Sequence, residues 1–154
     1  MKVALGSDER TELTDAIVAS LKNRGHEVLL LGALGRSGAA NWPQVGHAVA
    51  RSVTDGGVDY GIVCCWSGTG VSIAANKIPG ARAALCSDAR TATAAREWND
   101  ANVLALGLSG TSPAAAEQIL DAWFSTAPTA DSAYAAMIDA VEPNPNALSP
   151  VSDA

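Results

Sequence analysis

Basic residues are scarce in this 154-residue chain and stop early: ten Lys and Arg stand against sixteen Asp and Glu, and none follows Arg96. The formal net charge of -6 lacks the basic field that nucleic acid or an anionic membrane surface requires. An anionic ligand must therefore be held by a few local donors. No run approaches the ~18 consecutive apolar residues of a membrane span. The start, MKVALGSDER, reaches Asp8 and Glu9 before any long apolar stretch, unlike a secretory signal. Cysteine is limited to three residues, two of them adjacent, a poor disulfide framework that suits a reducing compartment, and a cytoplasmic address is expected. Also missing are CxxC, GK[ST] and GxGxxG, so thioredoxin-like, P-loop and dinucleotide-binding readings lack their signatures. No internal repeat and no second domain are visible.

What the chain does have is 48% hydrophobic against 17% charged residues, enough to bury a real core in one domain. Five short apolar runs, KVALGS, EVLLLG, YGIVCC, ARAALC and NVLALG, end in Gly, Ser or Cys. Most are followed by segments of helical period. The expected helices cover roughly 12–24, 43–54, 70–77, 89–98, 113–124 and 132–141; in the first, Leu13, Ile17, Val18 and Leu21 share one face. Alternating strands and helices predict an α/β fold, a five-stranded parallel sheet covered by helices on both faces. The domain is expected over 1–141, with a Pro-rich extension over 142–154. In such sheets ligands bind beyond the carboxyl ends of the strands, which directs attention to 6–10, 64–70, 86–90 and 107–111.

The segment CCWSGTGVSIAANKIPG, Cys64 to Gly80, is the least ordinary of these. Adjacent residues in a strand face opposite sides, so Cys64 and Cys65 cannot share a role. Cys65 is the last residue before the loop and lies nearest the following helix N-terminus, which favours a thiolate usable as base or nucleophile. The competing reading, that both are small buried hydrophobes, stands beside it on spacing alone. A metal site is weaker, because His26 and His47 fall in unrelated positions. The Gly-rich turn Ser67, Gly68, Thr69, Gly70 can present backbone N–H groups to a phosphate or enolate oxygen, or be turn chemistry only. Asp8, Glu9 and Arg10 follow the first strand, and Glu97 to Asp100 precede the fifth. These charges read as acids or bases at the ligand end or as helix caps. Trp66 and Trp98 suit a sugar face or a core rim.

Together, GSD after the first strand, DYGIVCC, GTGVSIAANKIPGARAALCSD and AREWNDANVLALG resemble the ribose-5-phosphate isomerase B and galactose-6-phosphate isomerase family, from Lys2 to about Trp123. The resemblance implies a Rossmann-like three-layer α/β/α sandwich, a homodimer or homotetramer with active sites shared between subunits, no metal or organic cofactor, and interconversion of aldose and ketose through a cis-enediolate. It implies Cys65 as the proton-transfer base and Ser67 and Asp8 beside it. Gly68, Thr69 and Gly70 become the oxyanion loop, and Asn99 and Asp100 contacts to sugar hydroxyls.

The chain also departs from the family pattern. DERT is one residue shorter than the family's DHAGF, with Glu9 near the place of a His; Trp98 replaces the His associated with ring opening. The last helix, ADSAYAAMIDAV, lacks the pair of arginines that grips phosphate. Each lost charge-assisted hydrogen bond is worth about 1.5–3 kcal/mol. Ribose 5-phosphate is therefore a poor expectation. Either Arg10 and Arg90 supply a relocated anion site, or the substrate is an unphosphorylated or open-chain sugar such as a tetrulose phosphate. The expected activity is aldose–ketose isomerisation of a small sugar or sugar phosphate. The alternatives are a non-catalytic or partner-dependent sugar-binding subunit, and a related proton-transfer enzyme on a non-phosphorylated substrate.

Overall fold

A computed structural model of the chain describes residues 1–36, 38 and 40–142. The extension expected over 142–154 lies, Glu142 apart, outside the described residues. Elements follow in the order β1 (Lys2–Ser7), α1 (Glu12–Asn23), β2 (Glu27–Gly32), α2 (Trp42–Thr54), β3 (Tyr60–Cys65), α3 (Thr69–Ala75), β4 (Ala83–Leu85), α4 (Ala89–Asn99), β5 (Val103–Gly107), α5 (Pro113–Ser125) and α6 (Ser132–Asp139). All paired strands are parallel, in the order β2-β1-β3-β5-β4. Strand alternation sorts the core into two layers. Val3, Leu5, Ile62, Cys64, Leu104 and Leu106 pack with Leu13, Ile17 and Leu21 of α1, Ala92 of α4 and Ile119, Leu120 and Trp123 of α5. Ala4, Val63, Cys65, Val103 and Ala105 pack with Val45, Val49 and Ala50 of α2 and Val71 and Ala75 of α3. The expected three-layer sandwich is what forms.

Element ends move by a residue or two from the expected ranges, for local reasons. α2 begins at Trp42 because Asn41 and Gln44 close a reciprocal capping box, each side chain taking the other's N–H at 3.1 Å. α4 runs on to Asn99 because Asp100 terminates it in the left-handed conformation, φ 42°. Asn102 stays out of β5, its side chain accepting from Arg82 N–H and donating to Gly80 O, both at 2.8 Å. α3 is only seven residues long and starts through Gly68 at φ 76°. α6 ends at Asp139, rests against α4 and buries none of its residues fully.

Candidate active site

The chain steps from β1 out to the edge strand β2 and then crosses back to β3, so the direction of winding reverses between β1 and β3. That reversal opens a crevice beyond their carboxyl ends. Asp8, which follows β1, and Cys65, the last residue of β3, line one cavity of about 330 Å³ with Trp42, Trp66, Ser67, Thr69 and Gly70. Trp42 was not expected from the sequence. The signal for it lies in the capping box, since a helix that follows a parallel strand begins at the ligand end.

The two cysteines separate as the pleat requires. Cys64 is fully buried on the α1/α4/α5 side; desolvation first, then nearby Cys65 and Asp8, push its thiol up to about 12. It has no base to offer. Cys65 packs on the α2/α3 side and is 5% exposed, at the floor of the cavity. Asp8 places Oδ1 in a buried position without a hydrogen-bond partner among the described residues. A buried carboxylate oxygen left open is costly, and here it belongs to a residue facing the same cavity as Cys65.

The loop after β3 is held in place from several sides. Cys65 O accepts from Gly68 N–H at 3.2 Å and from Leu108 N–H at 2.9 Å, and Trp66 O accepts from both Ser109 N–H and Ser109 Oγ at 2.9 Å. A Cβ on Gly68 would meet Leu85 Cδ1 at 2.5 Å and β5 backbone at 2.8 Å. Only glycine fits this approach in its left-handed conformation. Ser67 Oγ and Thr69 Oγ1 share a hydrogen bond of 2.6 Å. Gly68 offers no side-chain cap to α3, whereas α1, α2, α4, α5 and α6 are each capped by a side chain. The first N–H groups after Gly68 therefore have no intrahelical acceptor.

Other residues expected at the site lie elsewhere. Glu9 and Arg10 are exposed beyond β1; Glu9 N–H donates to Ser7 Oγ at 3.3 Å, and Arg10 Nε pairs with Asp15 at 2.9 Å. Arg90 is exposed in the first turn of α4, after the far edge strand β4. Three strand spacings, about 14 Å, separate the strands that carry Arg10 and Arg90, so the two do not form one anion site within a protomer. Trp98, Asn99 and Asp100 precede β5. Since Gly61 pairs with Val103 and Cys65 with Gly107, they stand at the opposite pole of the sheet, about 13 Å or more from Cys65. The expectation that Glu97 to Asp100 sit at the ligand end is corrected on this point: within one chain they do not meet Cys65. Their place before β5 rather than after it was the available signal.

Trp98 and Asn99 line a separate groove of about 340 Å³ with Arg82, Tyr134, Met137 and Ile138 among its walls. Among the described residues no helix is long and apolar enough to cross a membrane, and no three His, Cys, Asp or Glu side chains gather to hold a metal ion.

Comparison with known proteins agrees with this architecture. The family model for ribose/galactose isomerases matches residues 3–141. Ribose-5-phosphate isomerase B of Escherichia coli K12 is 42% identical over 123 residues, 79% of this chain and 82% of its own length. D-erythrulose-4-phosphate isomerase of Pectobacterium atrosepticum is 34% identical over 124 residues, 80% of this chain and 82% of its own. The structure of Clostridium thermocellum ribose-5-phosphate isomerase B superposes with a TM-score of 0.85 at 39% identity, covering 92% of this chain and 95% of that one. With the family model spanning both β1 and β3 and the fold reproduced at this level, the chain belongs to the ribose/galactose isomerase family.

Proposed function

We propose that this chain is a cofactor-independent aldose–ketose isomerase of a small sugar phosphate, with Cys65 as the base. The observation that carries the reading is the shared cavity at the β1/β3 crevice, which both Cys65 and Asp8 line, the latter with a carboxylate oxygen that has no hydrogen-bond partner among the described residues. Cys65 as thiolate takes the proton from C2 of the aldose, and the electron pair moves into a cis-enediolate. N–H groups of the 67–70 loop meet the developing oxyanion. The thiol returns the proton to C1 while the O2 hydroxyl proton passes to O1, which completes the ketose. Asp8 accepts from a substrate hydroxyl, and Ser67 with its partner Thr69 donates to the oxygen nearest the loop.

The substrate reading follows from the departures. With Trp98 at the ring-opening position, an open-chain tetrulose phosphate, which needs no ring opening, fits better than ribose 5-phosphate. The lack of Lys and Arg after Arg96 weighs on both phosphates alike, and the relatives include a D-erythrulose-4-phosphate isomerase at 34% identity beside the ribose-5-phosphate isomerase B at 42%. Arg10, two residues after Asp8, is the nearer of the two candidate anion donors in the chain; it must exchange Asp15 for the substrate. Trp98 and Asn99 contribute across an oligomer interface, because one protomer holds them and Cys65 at opposite poles of its sheet. The assembly is a homodimer or homotetramer in the cytoplasm, a compartment that suits three free, buried cysteines.

Side-by-side assays with ribose 5-phosphate and D-erythrulose 4-phosphate test this reading. Turnover of the tetrulose phosphate by the purified chain alone is expected. Preference for ribose 5-phosphate contradicts the substrate assignment, and activity only with a second protein points to a partner-dependent subunit.

A further inference from the structure

The pole of the sheet opposite Cys65 carries a charged network for which the proton-transfer chemistry has no use. Arg96 is 3% exposed. It donates Nη1 to Asp100 Oδ1 at 2.9 Å and to Ala101 O at 2.6 Å, and Nη2 to the Tyr60 hydroxyl at 2.9 Å. Its guanidinium lies over the Tyr60 ring at 4.8 Å and the Trp123 ring at 5.6 Å. Arg82 closes on the other side of the same carboxylate, Nη2 to Asp100 Oδ2 at 3.0 Å and Nε to Asp100 O at 2.9 Å. Asp100 is also the one non-glycine residue with positive φ among the described residues. A buried guanidinium and a left-handed aspartate are each unfavourable and persist only where the surroundings over-determine them. The two meet at the end of α4, where Asp100 directly follows Asn99.

The network reaches both walls of the groove that Asn99 lines. Glu142, three residues beyond α6, accepts from Gly80 N–H at 2.8 Å and pairs with Arg82 at 3.8 Å. Arg82 itself lines the groove. The α4 end is thus tied to both guanidinium groups and the segment after α6 to Arg82 alone, and both Asp100 carboxylate oxygens are already engaged within their own protomer.

We propose that Asp100, clamped between Arg82 and Arg96, is a positioning residue that fixes the end of α4 so that Asn99 is presented to the substrate. This rests on the reading that Asn99 completes an active site in the assembly. It departs from the expectation that Asp100 itself binds a sugar hydroxyl: its influence on the reaction passes through Asn99.

A double-mutant cycle separates the two. Asp100→Asn and Asn99→Ala are made singly and together in the full chain, checked for folding by thermal melting, and compared by kcat/KM on the better of the two sugar phosphates above. Asp100→Asn is expected to lower kcat/KM about tenfold in the wild-type background and less than about twofold once Asn99 is Ala, since effects sharing one path are non-additive. Equal losses in both backgrounds overturn the proposal by making Asp100 a direct ligand; no loss in the wild-type background overturns it too. If Asn99→Ala alone leaves activity intact, the composite-site reading fails and the proposal falls with it. Should Asp100→Asn not fold, Arg82→Lys, which keeps the charge but loses the Nε bond, is put through the same cycle. A readout free of turnover is the Asn99 side-chain amide resonance, which must shift in either variant; an unmoved resonance overturns the proposal.

Discussion

Burial and direction of facing decide what each of the three cysteines can do. Cys64 and Cys86 are both held at about 12 by desolvation, helped by Cys65 and Asp8 in the first case and by Asp88 in the second. In native protein at pH 8 a small alkylating reagent is expected to modify Cys65 first, read by mass spectrometry, with Cys64 and Cys86 protected until unfolding. His26 supplies a stability signal instead. It lies 4.7 Å from the Phe124 ring, its Nε2 is buried without a partner among the described residues, and its pKa is lowered by desolvation first and then by the positive N-terminus and Arg24. The folded state therefore binds fewer protons than the unfolded state just below the ordinary value of 6.5. This contribution is complete above that value and is lost as pH falls. Melting temperatures from pH 7.5 to 5 should decline more steeply in wild type than in His26→Gln; parallel curves contradict the assignment.

Elements carry the geometry of the loop. Gly68 couples a left-handed φ of 76° to contact with Leu85 and the β5 backbone. Gly68→Ala is expected to cost about 2 kcal/mol or more, the sum of conformational strain and displacement, measurable by urea unfolding, and to reduce turnover sharply. The five strands were legible as apolar runs closed by Gly, Ser or Cys, and the opposite facing of Cys64 and Cys65 followed from period two alone. What the sequence did not disclose was long-range. The Arg82–Asp100–Arg96 clamp joins residues 18 and 4 apart in sequence, and nothing local marks Arg96 as buried among charged neighbours of the same helix. Trp42 escaped for a similar reason, because its contact with Gly70 spans two helices.

At the scale of the whole molecule the proposed site is divided between the two poles of the sheet within one chain. Asp8, Cys65, Ser67, Thr69 and Gly70 gather at the carboxyl ends of β1 and β3, while Trp98 and Asn99 stand at the amino end of β5. A mixed assembly tests whether the halves belong together. Cys65→Ala and Asn99→Ala, each nearly inactive alone, should regain up to about a quarter of wild-type activity when co-refolded one to one, since random pairing lets one composite site in a mixed dimer draw both intact residues. No recovery places the two residues in one protomer's site or leaves Asn99 outside it. The central claim concerns the base, and solvent-deuterium incorporation into D-erythrulose 4-phosphate tests it most directly. Wild type and Cys64→Ala are expected to exchange the carbon-bound hydrogen next to the carbonyl, and folded Cys65→Ala to show none above background; exchange that survives in Cys65→Ala contradicts the account.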